Sequence, residues 1–92
     1  MVTSFAPIDQ YSIVETLGDA RGRALTSAQI AAEVAAIRET PAAAVRADVA
    51  TAVNAAIRQG LVRYHLTGWV LTGRGRSVYA ELQPPGEQLA AG

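Results

Sequence analysis

The chain contains no cysteine and a single histidine, His65. That excludes disulfides, thiolate zinc sites and cysteine nucleophiles. Without a second histidine at ligand spacing, it also argues against a structural or catalytic transition-metal site. Lysine is missing too: all eight basic residues are arginine, and they balance eight acidic residues to a formal net charge of zero. Neutrality argues against a strong general polyanion binder, because counterion release scales with the number of phosphates neutralised. Aromatic residues make up only 5% of the chain, so the core has to be built from aliphatic groups, many of them alanine. No apolar run reaches the roughly 18 to 20 residues that a membrane span needs. The opening MVTSFAPIDQ lacks the basic start and apolar middle of a secretory signal. The expectation is a cytoplasmic protein. With one histidine, no Ser-His-acid set and no large pocket expected in so small a chain, neither an enzymatic activity nor a cofactor is expected.

What is present is helical periodicity. Ninety-two residues make one domain, near the size at which a single core is marginal without a partner. Residues 1–6 read as a flexible lead-in, 7–82 as the folded domain, and 83–92, which include QPPGEQLAAG, as a disordered tail. Pro7 suits the first turn of a helix. Ile8, Tyr11, Val14 and Leu17 then recur at helical spacing up to a stop at Gly18. GDARGR is a polar, glycine-punctuated loop, and Ala24-Leu25 can form a very short strand.

Thr26 and Gln29 fit a capping box that starts a second helix, whose inward residues are Ile30, Val34 and Ile37. Thr40-Pro41 supplies an N-cap and a first-position proline for a third helix. In that helix Val45, Val49, Val53 and Ile57 share one face with Ala52 and Ala56, and Gly60 ends it as a left-handed cap with Leu61 folding back. LVRYHL and WVLT are β-rich runs around a Thr67-Gly68 turn. Their alternation places Val62, Tyr64 and Leu66 on a packed face and Arg63 and His65 on an open one. Thr72 caps a last helix, with Val78, Tyr79 and Leu82 closing over the core. The fold class expected is mainly α with a small β-hairpin, α+β: helix, short strand, two helices, hairpin, helix.

At this point the residues carry a resemblance. VATAVNAAIRQGLVRYHLTGWVLTGRGRSV resembles the end of the recognition helix, the wing and the following helix of winged helix-turn-helix regulators of the MarR and PadR kind. The matching signatures are Gly60-Leu61-Val62 after a helix closing in an aliphatic residue, and Leu71-Thr72 followed by Gly75-Arg76. LTSAQIAAEV is similar to the strand, cap and helix that open the helix-turn-helix itself, so the likeness spans roughly Leu25 to Leu82.

The resemblance implies that the third helix enters a DNA major groove and the hairpin touches the backbone or minor groove. Carried over by position, the groove-facing set is Ala43, Ala44, Ala47 and Thr51, flanked by Arg46 and Asp48. Only Arg46 and Thr51 among these can read a base edge favourably. Arg63 and His65 become backbone contacts on a wing shorter than usual, and Arg74 and Arg76 anchor phosphate at a helix start. The plainer alternatives are that Arg74 and Arg76 are solvated or paired with acidic residues of the first helix, and that His65 is an ordinary strand residue. Trp69 is more typical of core or interface than of a ligand platform, and GRGR lacks the GK[ST] ending of a phosphate loop.

Function then divides into two expectations. The first is a small bacterial or phage DNA-binding protein acting in transcriptional regulation, a homodimer on double-stranded DNA through Tyr11, Val14 and Leu17 or through Tyr79 and Leu82. The second is a winged-helix protein-interaction module, favoured by zero net charge, the alanine-lined third helix and Asp48.

Overall fold

The computed structural model describes residues 7–83. Its elements are α1 (Gln10–Asp19), α2 (Ser27–Arg38), α3 (Ala42–Arg58), β1 (Val62–His65), β2 (Gly68–Leu71) and α4 (Gly73–Leu82). It is thus mainly helical with one small antiparallel sheet, an α+β arrangement. The lead-in expected at residues 1–6 and the tail beyond Gln83 lie outside the described residues.

Helix α1 begins later than Pro7 suggests, because Asp9 takes the cap. Its carboxylate accepts from the N–H groups of Tyr11 and Ser12 at 3.0 and 3.2 Å, while the Ser12 hydroxyl accepts from the Asp9 N–H. At ~100° per residue, Ile13, Val14 and Leu17 share one narrow arc, and these are the buried residues of the helix. Tyr11 falls outside the arc and is exposed, so the expected inward face had one wrong member and lacked Ile13. Gly18 is not a stop but a helical residue where a Cβ would run into the ring of Tyr79.

The Thr26–Gln29 capping box of α2 forms as expected, with reciprocal bonds of 3.1 and 2.9 Å. Ile30 and Val34 are buried, but Ile37 is 69% exposed. Burial of Ala31 and Ala35 turns the inward arc away from Ile37, which sits at its edge in the last turn. Glu39 then adopts a left-handed φ of 54°, and the Thr40 N–H closes on the Ala35 carbonyl at 3.0 Å. Thr40 therefore finishes α2, and Pro41, with no side-chain cap bond, occupies the cap position of α3.

Helix α3 buries Val45, Val49, Ala52, Val53 and Ala56 as its periodicity requires, while Ile57 at its last turn is 41% exposed. The helix ends in a left-handed Gly60 at φ 72°, with Gly60 N–H bonded to the Ile57 carbonyl and Leu61 N–H to that of Ala56. Leu61 is folded back into the core.

The hairpin departs from expectation at its tip. Because His65 pairs with Gly68, the two-residue loop is Leu66-Thr67, and Leu66 carries the positive φ of 58°. Gly68 serves a different need: a Cβ there would lie 2.6 Å from the Leu25 carbonyl carbon. That close approach permits a bridge in which Leu25 N–H bonds to the Trp69 carbonyl and Trp69 N–H to that of Leu25, at 3.1 and 2.7 Å. The expected strand at Ala24-Leu25 is reduced to this isolated bridge, so the sheet has two strands and not three.

The expected packed face of β1 also fails beyond its first residue. Val62 is buried, but Tyr64 is 59% exposed and Leu66 82% exposed, so only the first residue of that face packs into the core. Tyr64 instead meets Trp69 edge-on at 5.2 Å between ring centroids.

Thr72 joins three elements. Its hydroxyl accepts from Gly75 N–H at 3.0 Å to cap α4 and donates to the Gly60 carbonyl at 2.6 Å, while its own N–H reaches the Leu61 carbonyl. Gly75 is buried so tightly that a Cβ would overlap the Leu61 carbonyl oxygen. Val78 and Tyr79 lie half-buried against the core, whose fully enclosed side chains include Ile13, Val14, Ile30 and Val49. Leu82 keeps 37% of its surface exposed.

Candidate functional site

The end of α1, the α1–α2 loop, the hairpin and α4 surround a concavity of about 460 Å³. Its apolar floor includes Leu17, Val70, Leu71 and Tyr79, and its rim carries Arg21, Arg23, Arg63, His65 and Arg76. Among the described residues no Asp or Glu lines it. A chain of zero net charge therefore concentrates half of its arginines, Arg21, Arg23, Arg63 and Arg76, around one hollow.

Each basic group is placed by a separate local device. Strand alternation puts Arg63 and His65 on the face of β1 opposite Tyr64, and Val70 shares that face because it pairs with Arg63. Arg76 stands one turn into α4, where a guanidinium N–H donates to the Leu71 carbonyl at 3.3 Å. Arg21 and Arg23 flank Gly22 in a loop with two successive left-handed residues, Arg21 at φ 57° and Gly22 at φ 86°. The loop closes through Arg21 N–H to the Gly18 carbonyl and Arg23 N–H to that of Ala20, at 3.0 and 3.2 Å.

The wall of the hollow is fixed across the chain. The Tyr79 hydroxyl donates to the Asp19 carboxylate at 2.6 Å, and its ring occupies the space left by the missing side chain of Gly18. Asp19 is thus occupied at the back of Tyr79 and does not enter the basic rim.

The residues expected from the sequence fall into two groups. Arg63, His65 and Arg76 come together at the concavity. Arg46 and Thr51 are exposed on α3, beside exposed Ala43, Ala44, Ala47 and Asp48, and do not line it. Arg74 is also exposed and outside the hollow; its aliphatic stem runs past Gly60. Arg21 and Arg23 are additions that sequence reasoning missed. The only signal was a pair of arginines around a glycine just after a helix, in a stretch read as a polar loop.

Among the surfaces considered for self-association, Val14 and Leu17 are core residues and are not available, whereas Tyr11 and Leu82 are exposed. Among the described residues no helix is long and apolar enough to cross a membrane, and no cluster of His, Asp or Glu could hold a metal ion. Comparison with protein-family models, with curated proteins and with solved structures finds no match to this chain.

Proposed function

We propose that this chain is a winged helix-turn-helix protein that binds double-stranded DNA in transcriptional regulation, acting as a homodimer. In this reading α2 and α3 are the helix-turn-helix, the hairpin is the wing, and the Leu25 bridge stands in for the short strand that precedes α2. The observation that carries it is the gathering of Arg63, His65 and Arg76 from the hairpin and α4 onto one hollow that, among the described residues, no carboxylate lines. Guanidinium groups suit phosphate oxygens through their paired donors. Arg46 and Thr51 on the exposed side of α3 supply the base contacts, and the many alanines there contribute shape and methyl contacts more than hydrogen bonds. Exposed Tyr11 on α1 and Leu82 on α4 offer apolar surface to a second copy, which multiplies a weak single reading head by engaging two half-sites.

The test is fluorescence anisotropy of a labelled mixed-sequence duplex at several salt concentrations. Arg63→Ala with Arg76→Ala should weaken binding evenly across sequences and flatten the log-log salt slope by about 2, near one per arginine. Unchanged affinity and slope in the double variant would refute the phosphate assignment.

One observation favours a second reading as a protein-interaction module. The outer side of α3 carries Ala43, Ala44, Ala47 and Ala50 exposed, with Asp48 among them, and a small, smooth helix face of this kind fits a partner's groove. Absence of DNA binding even at low salt would favour it. Replacement of Ala47 by Arg should then abolish capture of the partner and leave the fold intact.

A further inference from the structure

The hollow has a property that a strand of DNA does not require. Its rim is basic, but its floor is apolar, and its volume of about 460 Å³ falls within the size of a small-molecule pocket. A backbone phosphate would engage the rim and leave the exposed parts of half-buried Val70 and Tyr79 facing water.

We propose that the concavity binds a small organic phosphate, with the phosphate on the arginine rim and an apolar body on the floor. Arg21, Arg23, Arg63 and Arg76 present four positive charges with no lining carboxylate among the described residues. A phosphate monoester carries about −1.5 to −2 charge near neutral pH and three acceptor oxygens, which matches several forked donors better than a single-charged carboxylate does. The floor selects for the rest of the ligand, because a planar or aliphatic body removes apolar surface from water there.

The loop fixes where two of these arginines stand. Arg21 and Gly22 are successive left-handed residues after α1. Backbone bonds from Arg21 to Gly18 and from Arg23 to Ala20 close the turn and hold both arginines beside the hollow. Neither arginine belongs to the wing or the recognition helix, so their presence at the rim is not accounted for by the DNA reading. Since Arg63, His65 and Arg76 belong to both surfaces, an occupied hollow and a DNA backbone compete for them. That competition rests on the DNA reading; the binding itself does not.

The experiment titrates the isotope-labelled full chain with 2-naphthyl phosphate in the absence of DNA, following backbone amide shifts. Inorganic phosphate and 2-naphthol serve as the head-group and body controls. The expected result is saturable shifts at Gly18, Gly22, Val70 and Tyr79, with 2-naphthyl phosphate binding at least about tenfold more tightly than either control. Arg21→Ala with Arg23→Ala should reduce that affinity by about tenfold or more, the equivalent of roughly one charge-assisted hydrogen bond, with the amide spectrum otherwise retained. Shifts absent from these residues, inorganic phosphate or 2-naphthol binding as tightly, or a double variant that binds like the parent would each overturn the proposal. Repeating the titration on the protein–DNA mixture separates the two readings. Binding of 2-naphthyl phosphate by a chain that ignores DNA keeps the site and removes the DNA function; DNA binding without it does the reverse.

Discussion

Gly18 shows how much a single missing methyl group can decide. The ring of Tyr79 fills the position of its absent side chain, and that contact brings the hydroxyl to Asp19. Gly18→Ala should force the ring outward and destabilise the fold by about 1–3 kcal/mol, the usual range for an overpacked site. A thermal melt would register this as a lower midpoint. Tyr79→Phe keeps the ring and loses the hydroxyl's bond to the carboxylate, so its cost should be smaller, about 0.5–1.5 kcal/mol.

Leu66 presents the opposite case, a bulky residue where a glycine or asparagine belongs. It is the most exposed of the large apolar residues among those described, and it sits at a positive φ. Leu66→Asn should stabilise the chain by up to about 1 kcal/mol, because Asn tolerates the left-handed region. Urea titration would check it, and a loss of stability would show that the Leu66 side chain has a contact worth more than the strain. Neither glycine role was legible in the sequence: Gly18 looks like a helix stop and Gly68 like a turn residue. What determines both is a neighbour distant along the chain, Tyr79 for one and Leu25 for the other.

At the scale of elements, the sequence is informative about helices and less so about their edges. The Thr26–Gln29 box, the valine period of α3 and the Gly60 cap are local devices, and each forms where the residues place it. The inward faces of α1 and α2 are displaced because small residues and an unrecognised cap settle which arc packs. Ile37 makes the point testable. Since it is mostly exposed, Ile37→Glu should change stability by no more than about 0.5 kcal/mol, whereas Val34→Glu buries an unpaired carboxylate and should prevent folding. Circular dichroism of the two variants would separate them. The hairpin gives a further check: Gly68→Ala should break the Leu25–Trp69 bridge, costing about 1–3 kcal/mol and exposing the Leu25 and Trp69 amides to faster hydrogen exchange.

At the scale of the whole molecule, zero net charge conceals an uneven distribution. The basic hollow lies on one side of α1, while a second groove between α1 and α2 is lined by Glu15, Asp19 and Arg38. Composition could not display this, because the rim is drawn from segments around residues 21–23, 63–65 and 76, which only the packing of α4 and the hairpin against α1 brings together. Three of the six expected contact residues, Arg63, His65 and Arg76, line the hollow. Strand alternation and a helix start single them out one by one, but nothing local shows that they share a hollow, and no large pocket was expected. Arg21 and Arg23 were not singled out at all, since no pattern in a loop announces where its side chains end up.

The bond from Tyr79 to Asp19 joins positions sixty residues apart. A hollow walled by that pairing has no counterpart in a partly synthesised chain: it comes into being only when the last described helix has emerged from the ribosome and docked on the first. Its formation is therefore a report of completed folding. Any molecule that favours the hollow favours the finished chain as a whole, and would protect all four helices from unfolding and proteolysis together.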